Sequence, residues 1–164
     1  FYELGEVLKS DLLNDDEIES IKILLKSTAL KKLNSKRLST KVGKRKALIG
    51  SASNGINELG SFIAMAIFLD KGFDVEYIGS DISSKAILTI NDLLSADIVF
   101  LAVDYCANND NEIKKNKDLI SKLVNSKSSS DIFIGALKSE NNYKGFDIEN
   151  INSFELLRST LENT

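Results

Sequence analysis

The chain contains no histidine. That absence removes the commonest general base and the commonest transition-metal ligand together. A Ser-His-Asp or Cys-His catalytic site is excluded. Cysteine occurs once, so no internal disulfide can form, and without histidine a structural zinc site within one chain is ruled out. Proline is missing, and the single methionine, Met65, lies well inside the sequence. Residue 1 is Phe, so the sequence reads as a processed chain or a piece of a longer one. Neither end resembles a signal or transit peptide, and no apolar run approaches the roughly eighteen residues of a membrane span. A reducing, cytoplasmic setting with no membrane partner is the expectation. Carboxylates, lysine, arginine, serine, asparagine and backbone amides remain, a set that leans away from an enzyme.

What is present is an ordinary globular composition. The 164 residues are 43% hydrophobic and 27% charged, which suits one domain or one domain with a short helical arm. The net charge of −3 conceals an asymmetry: residues 26–46 hold nine basic side chains and no acidic one. Such a run could track a phosphate backbone. With no aromatic residue interleaved and no base-reading motif, a solvated helix face followed by a linker is the better reading.

Periodicity divides the chain into a helical segment, 1–40, and an α/β domain, 46–164. In the first, Leu12, Leu13, Ile18, Ile21, Leu24, Leu25 and Leu30 recur at helical spacing, and Asn14, Asp15 and Asp16 offer N-cap oxygens for a helix over 17–33. Residues 34–45 read as a linker. Beyond it, strands are expected over 47–51, 73–78, 97–103 and 131–137, with a short fifth over 146–148. Helices are expected over 58–71, 83–95, 112–124 and 151–161, the second with Ile87, Ile90, Leu93 and Leu94 facing inward. Near-continuous apolar strands such as IVFLAV indicate burial on both faces, hence a doubly wound (flavodoxin- or Rossmann-like), mostly parallel five-stranded sheet.

Ligands of such sheets bind beyond the carboxyl ends of the strands. The first strand there opens into Ser51, Ala52, Ser53, Asn54, Gly55, Ile56, Asn57 and on to Gly60, rich in small and hydrogen-bonding residues. Its amides could bind an anion, or the loop could be a tight turn with Asn57 capping the helix. Gly60 is followed by Ser61 and Phe62, which rules against a P-loop, and no G-x-G-x-x-G occurs. Asp81 after the second strand could accept a ligand hydrogen bond or cap the next helix. Asp104, Asp110 and Glu112 lack the spacing of a calcium loop. Cys106 has no histidine to activate it. Ser51 and Ala52 stand where a receiver domain needs an acidic pair.

The stretch KALIGSASNGINELGSFIAMAIFLDKGFDVEYIGSDISSKAI resembles the cobalamin-binding domain family, and the resemblance extends over about 46–162. Tyr77-Ile78-Gly79-Ser80-Asp81-Ile82-Ser83 is similar to the family's Tyr-Leu-Gly-x-Asp-x-Pro segment. Family members that bind cobalt through histidine carry Asp-x-His-x-x-Gly after the first strand; here Gly55-Ile56-Asn57-Glu58-Leu59-Gly60 keeps only the last glycine. Ala102-Val103-Asp104 stands where the family has Ser-x-Leu, and Gly135-Ala136 where it has Gly-Gly. The resemblance implies a cofactor site over Ser51, Ser53, Asn54, Gly55, Asn57, Gly60, Asp81, Ala102 and Gly135. An amide nitrogen is a very poor cobalt ligand, so cobalamin would have to bind without a protein histidine ligand.

The family's members include MerR-type B12-sensing transcriptional regulators and corrinoid carriers of methyltransferases. The resemblance therefore implies a non-catalytic sensory or regulatory domain, with a corrinoid carrier subunit and a partner-binding module with a vestigial pocket as alternatives. A homo-oligomer or a regulatory protein partner is expected, and DNA contact only through an upstream segment.

Overall fold

A computed structural model describes residues 14–37, 44–52, 56–103, 110–126, 129–136, 146 and 148–162. Strands β1 (Lys46–Ser51), β2 (Asp74–Ser80), β3 (Ile98–Ala102), β4 (Asp131–Gly135) and β5 (Glu149–Ile151) form one sheet in the order β2-β1-β3-β4-β5. Every pairing is parallel. Helix α1 (Asp15–Arg37) precedes the sheet. Helices α2 (Ile56–Asp70), α3 (Ser84–Leu94), α4 (Asp110–Val124) and α5 (Phe154–Glu162) follow β1, β2, β3 and β5 in turn. The doubly wound α/β expectation is met, with an entirely parallel sheet.

Side chains leave a strand alternately to its two faces, so a strand buried on both must be apolar throughout. In β3, Ile98, Phe100 and Ala102 join the core under α1, α2 and α5, while Val99 and Leu101 join the core under α3 and α4. The same alternation holds in β1, where Ala47 and Ile49 face the first core and Leu48 the second. Helix α2 is apolar nearly all round because it is covered twice, by the sheet on one side and by α1 on the other. Leu25, Ala29 and Leu33 of α1, one helical turn apart, pack into the same core as α2.

Local signals set the helix ends. Asn14 and Glu17 form a capping box: each backbone N–H donates to the other's side chain at 2.9 Å. Ser83 caps α3, its Oγ accepting from the Ala86 N–H at 3.2 Å. Helix α2 stops at a Schellman turn. Gly72 takes a φ of +89°, its N–H donates to the Leu69 carbonyl at 3.1 Å, and the Phe73 N–H donates to that of Phe68, also at 3.1 Å. The rings of Phe68 and Phe73 meet edge-on with centroids 5.1 Å apart, the apolar contact that accompanies this turn.

Several sequence expectations need correction. The helix expected to end at residue 33 runs on to Arg37, so the first part of the expected linker is helical; residues 38–43 lie outside the described ones. Leu24 is 68% exposed and its neighbour Ile23 60%, since the buried line of α1 is Leu25, Ala29 and Leu33. Leu93 is 79% exposed, and the polar Asn91 takes the inward position, where its amide donates to Ser130 Oγ at 2.9 Å. The fifth strand is Glu149–Ile151, not 146–148. Register decides this, because Gly135 pairs with Ile151 and the Ala136 N–H donates to the Ile151 carbonyl at 3.0 Å. The last helix accordingly starts at Phe154, after Ser153 Oγ accepts from the Leu156 N–H at 3.0 Å.

The basic run is partly consumed by internal contacts. Lys32 pairs with Asp70 at 2.6 Å, Lys46 Nζ donates to the Leu94 carbonyl at 3.0 Å, and Arg45 lies 5.4 Å from the centre of the Phe73 ring. These contacts draw it toward fold-building and away from phosphate tracking. No helix among the described residues is long and apolar enough to cross a membrane.

Phe100 is fully buried at the centre of the sheet. Phe100→Ala is expected to cost about 3–5 kcal/mol in urea unfolding, against about 1 kcal/mol for Asn14→Ala, which only removes the cap of α1. Comparable losses for the two would contradict this packing.

Candidate functional site

The connections of this sheet reverse direction at one place. From β1 the chain moves outward to β2 over the α2 face; from β3 it moves the other way over the α3–α4 face. By the general rule for doubly wound sheets, ligands bind at that reversal, in the crevice beyond the carboxyl ends of β1 and β3.

Register places four small residues side by side along the rim of that crevice. Ser51 pairs with Ser80 on one side and Ala102 on the other, and Ala102 pairs with Gly135. Ser51 shares its strand face with Ala47 and Ile49, and Ala102 shares its face with Ile98 and Phe100, so the row lies on the side covered by α2. Ser51 and Ala102 are fully buried, and Gly135 is buried too. The backbone along the row is bonded internally. The Ser51 carbonyl accepts from the Asp81 N–H at 3.1 Å, that of Ala102 from Ala52 at 3.0 Å, and that of Gly135 from Val103 at 2.8 Å.

A β-bulge delivers Ser80 and Asp81. Pairing slips between Ile49 and Gly50, leaving Ile78 as the extra residue of β2. A Cβ on Gly50 would lie 2.9 Å from Ile78 Cγ1 and 3.3 Å from the Gly79 carbonyl oxygen, so the bulge closes onto a bare backbone. Gly79 and Asp81 both turn through positive φ, +94° and +54°. Asp81 is exposed and pairs with Lys115 of α4 at 2.8 Å, so it does not cap α3; Ser83 does.

Of the residues singled out from sequence, Ser51, Ala102 and Gly135 stand in one row, and Asp81 follows the end of β2. Gly60 is buried inside α2. Asn57 is the second residue of α2, since the helix begins at Ile56; it is not the cap. Ser53, Asn54, Gly55, Asp104 and Cys106 lie outside the described residues. Asp110 and Glu112 sit in the first turn of α4. Among the described residues no three metal-ligating side chains come together. A cavity of about 240 Å³ opens at the other end of the sheet, between Leu123, Val124 and the starts of β4 and β5, away from this crevice.

One cluster escaped the sequence reading. Glu58, in the first turn of α2, is only 6% exposed. Tyr77 Oη donates to its carboxylate at 3.1 Å, and Lys26 of α1 approaches the same oxygen at 3.7 Å. Lys26 Nζ also lies 5.8 Å from the centre of the Phe62 ring, which packs 5.2 Å from that of Tyr77. Ser61 Oγ donates to the Glu58 backbone carbonyl at 2.7 Å. Burial, above all, pushes the Tyr77 phenol well above its usual value; its interaction with the Ser61 hydroxyl works against this, and the Glu58 carboxylate adds to the rise. The sequence signal was a carboxylate placed just ahead of the apolar stretch FIAMAIFL of α2.

Two comparisons with known proteins are silent: no family model matches the chain, and no curated protein does. Solved structures are similar. A monomethylamine corrinoid protein of Methanosarcina barkeri superposes with a TM-score of 0.57 at 16% identity, over 90% of this chain and 66% of that one. This chain thus spans slightly under two thirds of that protein. A cobalamin-binding protein of Desulfitobacterium hafniense gives a TM-score of 0.53 at 14% identity, over 98% of this chain and 74% of that one. The chain has the fold of corrinoid and cobalamin-binding proteins, as the sequence resemblance implied.

A raised phenol carries a pH consequence. The unfolded chain releases the Tyr77 proton near pH 10 and the folded chain only above that, so folding stability is complete below about pH 10 and falls as pH rises beyond it. Ultraviolet titration is expected to show Tyr77 ionising late, with alkaline unfolding, and Tyr77→Phe is expected to remove that late step. A Tyr77 that ionises with exposed tyrosines in the folded chain would contradict the burial.

Proposed function

We propose that this chain is a non-catalytic sensory or regulatory domain that binds cobalamin through the cofactor's nucleotide tail, with no protein imidazole on cobalt. The observation that carries the proposal is the row Ser80, Ser51, Ala102 and Gly135 at the reversal point of a corrinoid-protein fold, in a chain with no imidazole. Cobalamin would supply cobalt whose ligands change with its chemical state. The small side chains suit a slim nucleotide-like tail in size. Their burial means that the chain covering them must yield when the tail enters. The donor set does not suit histidine-ligated cobalt, since Asn57 can offer only an amide.

In this reading Ser51, Ala102 and Gly135 form the floor and Asp81 stands at the rim. A sensor needs only different affinities in two states of the protein, and that requirement survives the loss of a cobalt-tuning ligand. Methyl transfer at cobalt depends on such tuning far more. The likeness to the monomethylamine corrinoid protein supports a second reading, a carrier subunit serving a separate methyltransferase.

Titration with hydroxocobalamin is expected to give the visible spectrum of protein-bound cobalamin that has released its own base and gained no imidazole. Asn57→His is expected to shift it to that of imidazole-ligated cobalt. A colourless protein that retains no cobalamin after gel filtration would overturn the reading. Methyl-group turnover with a methyltransferase would establish the carrier role instead.

A further inference from the structure

We infer that Glu58 is a latch through which helix α1 holds the cofactor crevice closed; the inference rests on the function proposed above and names the regulation of that site. The first turn of α2 follows directly from the β1 loop, so it lies at the carboxyl end of the sheet, on the face where Ser51, Ala102 and Gly135 are buried. A ligand tail that reaches this row must displace that turn. The turn is held from two sides. Tyr77 Oη, from β2, donates to Glu58 Oε1 at 3.1 Å, and Lys26 Nζ, from α1, sits 3.7 Å from the same atom.

A pair as open as Lys26 would add little if both charges were in water. Here the carboxylate is only 8% exposed while the ammonium is 49% exposed. Withdrawing Lys26 therefore leaves a buried negative charge with less compensation, and the penalty falls on the closed arrangement. Lys26 also spans Phe62, so its stem and its charge hold α1 to α2 together. The remaining described ion pair of α1 with α2, Lys32 to Asp70, lies at the far end of α2 and leaves the first turn untouched.

Closed and open arrangements compete with ligand, so weakening the closed one raises apparent affinity. Linkage makes the effect reciprocal: ligand that opens the turn must loosen α1 by the same factor. Helix α1 then becomes the output of the domain, free to rearrange toward a partner when the crevice is filled.

Lys26→Met keeps the apolar stem and removes the charge; Tyr77→Phe removes the other restraint; Lys32→Met is the control. Hydroxocobalamin binding is expected to tighten about fivefold or more in Lys26→Met and Tyr77→Phe, at the lower end of ordinary allosteric coupling, and to stay unchanged in Lys32→Met. Hydrogen exchange over 15–37 in the unsubstituted chain is expected to quicken when cobalamin is added. Equal or weaker binding by Lys26→Met, with its unfolding midpoint preserved, overturns the latch, as does α1 exchange indifferent to cobalamin. If no variant binds cobalamin, the proposed function fails, and the latch is judged without ligand. Lys26→Met should then quicken exchange over 56–62 where Lys32→Met does not, and equal exchange in the two rejects it.

Discussion

The parallel pairing of β1 with β3 is the constraint on which the rest of the structure depends. These two strands are buried on both faces, and the chain leaves them in opposite directions. Because the crossovers are right-handed, that divergence commits α2 to one face and α3 and α4 to the other. It also marks the reversal of strand order, where ligands of such sheets bind. The pairing of Ser51 with Ala102 lies directly beneath it.

Chemistry at that place is bounded by what the chain cannot offer. With no histidine, neither a zinc centre nor a triad nor an imidazole under cobalt is available. Among the described residues the row offers small side chains and bonded backbone. Buried Glu58 adds a charged group close to the ligand-facing end of α2, and it is engaged with Lys26 and Tyr77. In the reading proposed above, such a site serves recognition and response.

The fold was legible because its evidence is periodic and redundant. Each central strand is apolar on both faces, and each helix is marked by a cap such as Ser83 or a stop such as Gly72. Where the reading slipped, a tertiary contact outweighed a local preference. Asn91 turned inward because Ser130 meets it, and Leu93 was left outside. The fifth strand moved from 146–148 to Glu149–Ile151 because hydrogen-bond register with β4, not apolar content, fixes a three-residue edge strand. Ser51, Ala102 and Gly135 were legible from their positions at strand ends. Glu58 was not, because its meaning depends on Lys26, thirty-two residues away in sequence, meeting it across the α1–α2 packing. Asp81 was readable as a polar residue at a strand end, but its pairing with Lys115 was invisible until α4 was placed.

The central claim is that a corrinoid enters above β1 and β3 while no protein nitrogen takes the lower position on cobalt. A crystal structure of the chain grown with cobalamin tests it most directly. The account predicts the nucleotide tail over Ser51, Ala102 and Gly135, with the cofactor's base drawn off cobalt and no imidazole in its place. A corrinoid held elsewhere on the surface, or cobalt ligated by a side chain of this protein, would contradict it.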